Sequence, residues 1–260
     1  MPRFAGNLTW LFTEYEFLDR FEAAADCGFD AVEVLFPYDH PAEKIAERLQ
    51  RNKLTMALIN TPPGNSAAGE RGLAAVPDRE ADFRDAFALA GDYAQATGAR
   101  RIHLMAGLAE KSDERAAQTY RDNVAFAADY FQPRDMEVMI EPINGRDVPG
   151  YFLDDFTYAA CLIEELARPN LKLQFDIYHR QILHGDVTAA LRQLLPLIGH
   201  VQIAGVPGRN EPDGGELNYP FLFEELDRLG YAGFVGCEYR PRGATREGLG
   251  WLQQYRNRNP

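Results

Sequence analysis

The chain has 260 residues, 46% of them hydrophobic, and a formal net charge of −12. That length suits one large domain, such as an α/β barrel, or two small ones. The acidic balance argues against a nucleic-acid partner, which calls for a basic face. With no apolar run of about 18 residues, nothing is expected to span a membrane.

The N-terminus "MPRFAGNLTW" has no basic segment ahead of a long apolar stretch, so no signal peptide is predicted and a cytoplasmic location is expected. Strands are predicted at Phe4–Leu8, Ala31–Phe36, Leu54–Asn60, Arg101–Ala106, Glu137–Ile143, Leu171–Ile177, His200–Ala204 and Phe234–Tyr239. Between them, segments such as "EFLDRFEAAADCGFD", "AEKIAERLQRNK", "YRDNVAFAADYF" and "YPFLFEELDRLG" carry apolar residues at helical spacing. Gly28, Gly98, Gly199 and Gly230 each follow such a segment and are expected as left-handed residues that end helices. Cys27, Cys161 and Cys237 form no CxxC pair and read as reduced, buried thiols. The longest irregular stretch, "TPPGNSAAGERGLAAVP", is of a length usually functional or mobile.

Strand and helix alternate eight times with no break in composition, which predicts an α/β chain folded as a single (β/α)8 barrel over residues 1–260. A doubly wound sheet is the rival, but "FAGNLTW" after the first strand is not the glycine-rich phosphate turn. Alternation within the later strands assigns their faces. In "LKLQFDI" the apolar residues share one face, and Lys172, Gln174 and Asp176 the other. "HVQIA", "VGCEY" and "RIHLM" alternate in the same way, so the apolar face meets the helices and a polar face lines the lumen.

Four consecutive strands then end in an oxygen-bearing side chain: Glu141, Asp176, Gln202 and Glu238. All lie near the C-terminal ends of their strands, where barrel active sites form. Three carboxylates together repel one another, and a divalent cation relieves that repulsion. An all-oxygen donor set suits one hard ion, Mg²⁺ or Mn²⁺. A single carboxylate at a strand end is more often solvated or salt-bridged; four neighbours in lumen phase are harder to explain that way.

The motifs "IEPIN", "QFDIYHRQ", "GHVQIAG" and "VGCEYRP" resemble the hydroxypyruvate isomerase family of the xylose-isomerase-like barrels. "NLTWLFTEY", "VEVLFPYD" and "AAGERGL" extend the resemblance over nearly the whole chain. It implies a (β/α)8 fold, one divalent metal held by Glu141, Asp176, Gln202 and Glu238, and acid/base roles for Glu141 and Glu238. The implied reaction takes a small 2-oxo-3-hydroxy acid to its aldehyde isomer, with hydroxypyruvate as the first substrate. "HLMAG", "VQIAGVPGRNEPDGGELNYP" and "PRGATREGLGW" look more like the 2-oxo-tetronate isomerases, whose substrate is one carbon longer. Arg240 stands where the family pattern leads one to expect lysine.

Candidate substrate contacts are Arg71 from the long loop, His103 on the lumen face, His179 three residues after Asp176, and Arg240. A surface arginine and a plain loop histidine are the ordinary alternatives for Arg71 and His179, and a satisfied core histidine that for His200. Two other functions share this barrel type. A DNA-repair endonuclease uses a histidine-rich multi-zinc centre, which five histidines and a charge of −12 disfavour. A sugar-acid binding barrel without catalysis needs no pair of flanking glutamates. The expected partner is a small hydroxy-oxo acid, and a homo-oligomeric state is left open.

Overall fold

The computed structural model describes residues 2–256. Its strands are β1 (Arg3–Asn7), β2 (Ala31–Val34), β3 (Thr55–Asn60), β4 (Arg101–His103), β5 (Glu137–Ile140), β6 (Leu171–Asp176), β7 (Ile198–Ile203) and β8 (Phe234–Cys237). They pair in parallel in chain order, and β8 closes onto β1. The helices α1 (Arg20–Asp26), α2 (Ala42–Asn52), α3 (Glu80–Thr97), α4 (Glu114–Phe131) and α5 (Phe156–Leu166) each follow one strand. Two helices, α6 (Ile177–Leu183) and α7 (Val187–Leu194), follow β6, and α8 (Tyr219–Arg228) follows β7. Short helices α9 (Thr245–Gly248) and α10 (Gln253–Arg256) follow β8. The fold is the single (β/α)8 barrel that the alternation predicts.

The helices cover the apolar strand faces. In α4, Asp113 caps the first turn by accepting from Arg115 N at 2.9 Å, and Tyr120, Val124, Ala127, Ala128 and Phe131 form one buried stripe. Gly91 in α3 makes room for that stripe, because a Cβ there would stand 2.9 Å from the Phe131 ring. Leu173, Phe175, Val201, Ile203 and Val235 join the same core. The lumen differs, as the alternation requires. Ala5, Ala31 and Ala57 form its small apolar floor, and Asn7, Glu33, His103, Gln174, His200 and Gln202 are buried among its polar residues.

Two expectations, on Gly199 and Cys161, are corrected. Gly199 does not end a helix in the left-handed region; it lies inside β7, which begins two residues earlier than predicted. A Cβ there would meet Met139 and Lys172 at 2.7 Å, so close packing, not backbone freedom, calls for glycine. Gly28, Gly98 and Gly230 do have positive φ (81°, 72° and 76°). Cys27 and Cys237 are buried, but Cys161 on α5 is exposed. The long loop after β3 is hydrogen-bonded throughout, and its second half lies against the end of β4. Gly72 bridges to Ala106, Ala75 N donates to Ala106 O at 2.7 Å, and a Cβ on Gly72 would come within 2.4 Å of Met105 O.

Candidate active site

Register sets the level of the site. Asp176 pairs with Gln202, Gln202 with Gly236, and Asn7 with Glu33, so their side chains enter the lumen in adjacent layers. Glu141 stands one residue past β5, where Pro142 has no N–H to continue pairing. Glu238 stands one residue past β8. Asp176 closes β6 and caps α6, its Oδ1 accepting from Tyr178 N at 2.7 Å and His179 N at 3.4 Å.

Four carboxylates are thus buried together: Glu33, Glu141, Asp176 and Glu238, none more than 6% exposed. A hydrogen-bonded belt links them. Gln174 Nε2 donates to Glu141 Oε2 at 2.9 Å and to Gln202 Oε1 at 2.6 Å. Gln202 Nε2 donates to Glu238 Oε2 at 2.7 Å and to Glu33 Oε1 at 2.8 Å. Arg209 supplies the cation. Its Nη2 donates to Glu238 Oε1 at 2.6 Å and lies 3.8 Å from Asp176 Oδ2, while its Nη1 donates to Asp147 Oδ2 at 2.8 Å. The guanidinium lies over Tyr178 and Trp10, 4.9 and 5.5 Å from their ring centroids. Its backbone holds a left-handed φ of 54°, costly for a residue with a side chain.

One guanidinium does not balance this set. Burial, then Glu238 and Asp176, push the Glu141 carboxyl well above the ordinary range. Burial raises Glu238 to about 8 against the opposing pull of Arg209. Burial raises Asp176 to about 6, opposed by Arg209 and the two capping amides. The linkage has a definite sign. A carboxyl with a raised folded pKa binds more protons folded than unfolded, so stability falls as pH rises from the unfolded value of about 4 through the folded value. Without divalent cation, the melting temperature should therefore fall between pH 7 and pH 8.5, above the range in which the two depressed histidines, His103 and His179, oppose the trend. Thermal melts in EDTA across that range test this; a flat or rising curve would contradict it.

The donor set fits a hard cation. Ligand atoms of Glu141, Asp176 and His179 lie within 4.8 Å of one another, and Glu141 Oε1 and Asp176 Oδ2 have no hydrogen-bond partner. His179 contributes differently from the two carboxylates. Its Nδ1 receives Asn144 N at 3.2 Å and stands 2.6 Å from Asn144 Nδ2. That amide is fixed the right way round, because Asn144 Oδ1 accepts from Arg146 N and Asp147 N, both at 3.0 Å. Nδ1 is therefore an acceptor, and in the neutral ring the proton sits on Nε2. Burial, with Arg209 and His103 adding to it, holds this ring far below the ordinary imidazole value, so it is neutral at pH 7. His179 thus presents an N–H to the site.

The other expected residues divide. Gln202 and Glu238 are in the site, but their oxygens are engaged: Gln202 Oε1 by Gln174, Glu238 Oε1 by Arg209. His103 is buried with Nδ1 3.4 Å from Glu141 Oε2, and burial followed by His200 lowers it to about 3. Arg240 is exposed at the mouth, its guanidinium 4.9 Å from the Trp10 ring. Arg71 is exposed and donates to the neighbouring Glu70 O at 2.8 Å; it is not brought to the carboxylates. Sequence reasoning missed Arg209, Glu33, Asn7, Asn144 and the part played by Gln174. Glu33 carried the signal used for Glu141, a lone carboxylate inside the apolar run "AVEVL".

Residues 21–255 match the xylose isomerase-like TIM barrel family. The chain is 55% identical over 260 residues to a 2-oxo-tetronate isomerase of Cupriavidus necator, covering 99% of this chain and all of that one. It is 45% identical over 258 residues to the hydroxypyruvate isomerase of Escherichia coli, covering 98% of this chain and all of that one. A Brucella melitensis crystal structure described as an AP endonuclease of family 2 superposes with a TM-score of 0.96 at 48% identity, covering 98% of this chain and 99% of that one. The chain belongs to the xylose isomerase-like TIM barrel family, in the branch formed by its hydroxypyruvate and 2-oxo-tetronate isomerase relatives.

Proposed function

We propose that the protein is a divalent-cation-dependent isomerase of small 2-oxo-3-hydroxy acids, moving a carbonyl by one carbon. Hydroxypyruvate, giving 2-hydroxy-3-oxopropanoate, is the first substrate. The four-carbon 2-oxo-tetronate is the second, supported by relatives of that name at 55% and 48% identity. The observation that carries the reading is the pair of glutamates, Glu141 and Glu238, buried in one cavity, the first pushed well above the ordinary carboxyl range and the second to about 8. Two such groups in one cavity favour sharing protons, so one can act as acid while the other acts as base.

Arg209 and Arg240, both over the Trp10 ring, supply positive charge for the substrate carboxylate. Arg209 Nε has no partner and is buried, so it is a donor in reserve. The Nε2–H of His179 lies 3.6 Å from Asp176 Oδ2 and 3.9 Å from Glu141 Oε1, and would donate to a substrate oxygen held beside these carboxylates. A glutamate removes the proton from the hydroxyl-bearing carbon, the other glutamate returns one to the neighbouring carbon, and the hydroxyl proton passes to the former carbonyl oxygen, so that the aldehyde forms as the ketone becomes an alcohol. Glu141 and Asp176 would hold a Mg²⁺ or Mn²⁺ ion, with Gln202 and Glu238 able to join them if Arg209 and Gln174 release their oxygens. When bound, that ion supplies electrostatic stabilisation for negative charge developing on the substrate oxygens. The expected partner is a small acid rather than nucleic acid, as the charge of −12 supports. Among the described residues no helix is long and apolar enough to cross a membrane.

The test is an activity panel of short 2-oxo acids with and without EDTA. Turnover of hydroxypyruvate or 2-oxo-tetronate, lost in EDTA and restored by Mg²⁺ or Mn²⁺, is expected. Binding without turnover of any member would return the protein to a sugar-acid binding barrel. Cleavage of abasic duplex DNA would favour the endonuclease reading.

A further inference from the structure

Glu33 is fully buried on β2, beneath the two glutamates assigned to proton transfer. Its Oε1 accepts from Asn7 Nδ2 at 2.9 Å and from Gln202 Nε2 at 2.8 Å. Its Oε2 pairs with His200 Nε2 at 2.7 Å. The same two amides also donate to Glu238 Oε2, Asn7 at 3.3 Å and Gln202 at 2.7 Å. Both amides are held from behind: Asn7 Oδ1 accepts from Thr9 N at 3.1 Å, and Gln202 Oε1 from Gln174 Nε2 at 2.6 Å. Glu33 and Glu238 therefore share two amide donors, and neither amide can flip without turning an oxygen toward two carboxylates.

Strand β8 leaves space for this arrangement. A Cβ on Gly236 would stand 2.3 Å from Glu33 Oε2 and 2.5 Å from Oε1. Gly236 is the Cα partner of both Gln202 and Ala5, so a side chain here would occupy the centre of the belt. Glycine in a strand weakens it, and a carboxylate buried among three others adds repulsion. An apolar pair would fill the same volume without that cost. What an apolar side chain at position 33 cannot do is accept from Asn7 and Gln202 and so fix the two N–H groups they present to Glu238.

We infer that Glu33 is a positioning residue for Glu238: by fixing the amides of Asn7 and Gln202, it holds the Glu238 carboxylate in the orientation needed for proton transfer. This rests on the acid/base reading of Glu238. Glu33 touches no reacting atom, so its removal lowers the rate of the step and leaves substrate affinity in place.

Glu33→Gln keeps the shape but removes the negative charge, so the bonds that fix the Asn7 and Gln202 amides are no longer charge-assisted and the oxygen facing His200 becomes a donor. At saturating Mg²⁺, kcat should fall about 10–100-fold, as for other residues that orient a working group, with KM within about threefold of wild type. In a Glu238→Gln background the same change should cost less than about threefold further, because a residue acting through Glu238 has nothing left to orient. A wild-type kcat in Glu33→Gln overturns the inference, as does a full independent loss in the double variant. Wild-type activity in Glu238→Gln alone would instead sink the acid/base reading. If Glu33→Gln does not fold, Glu33→Asp serves. It keeps the charge and withdraws the oxygens by one methylene, and the same kcat-selective loss is expected; unchanged kcat overturns the inference.

Discussion

Glu141→Gln and Glu238→Gln should each lower kcat by about 10²-fold or more, while metal-free Glu141→Gln, whose Oε1 has no hydrogen-bond partner to lose, melts at higher temperature than wild type. Both outcomes have one cause. Burial raises each carboxyl because the folded protein solvates its charge poorly. A neutral amide of the same shape avoids that penalty, so stability at pH 8 rises as function is lost. A gain in stability with full activity would leave the glutamates as mere charge. Activity must be read at saturating cation, with cation binding measured separately, because either glutamate could also be a ligand. Isotopes then separate two chemistries. In D₂O, proton transfer between carbons should place deuterium in the product, unless a shielded base returns the same hydrogen. Complete retention of substrate deuterium, with both variants inactive, would favour a hydride shift and reassign both residues.

Arg209→Ala should destabilise the metal-free protein by about 3–5 kcal/mol at pH 8, the range seen when one partner of a buried ion pair is removed. The loss should shrink at pH 5.5. There Glu238, with a value of about 8, and Asp176, at about 6, carry protons and no longer need the guanidinium. Mg²⁺ should restore part of the stability at pH 8, since a cation among the same carboxylates replaces the missing charge. Arg209→Lys should recover some of it, yet it cannot bridge Glu238 and Asp147 with a rigid fork. Denaturant titrations at the two pH values decide the matter. An equal loss at both would show that Arg209 stabilises by packing on Trp10 and Tyr178, not by charge.

Period-two alternation made the barrel readable, because a strand with one face on helices and the other on a polar lumen must alternate. It also placed Glu141, Asp176, Gln202 and Glu238 correctly in the lumen. The same rule applied to "AVEVL" would have reached Glu33, but a short strand flanked by valines reads as buried on both faces. Arg209 was out of reach: it projects from a loop with no periodicity, and its role comes from a left-handed turn and two aromatic rings distant in sequence. The proton on His179 Nε2 was equally hidden, because it depends on Asn144, 35 residues away. Gly199 misled because a glycine soon after a helical pattern looks the same whether it frees the backbone or clears space for Met139.

The contact between the long loop and the end of β4 bears on how this barrel could change substrates. Gly72 and Gly107 pass so closely that a Cβ on either would come within 2.4 Å of backbone on the other segment. Lengthening the chain at this crossing would push on Met105 and, through it, on the strand that carries His103. The tip at Ser66–Ala68 is different, exposed, and followed by Gly69, whose missing side chain would meet nothing within 4 Å. Across the mouth, Gly243 beyond Arg240 is equally unobstructed. Insertions that tailor the entrance to longer acids are therefore compatible with the catalytic layer at these two rims, and descendants or designed variants with new specificity should carry their length differences there.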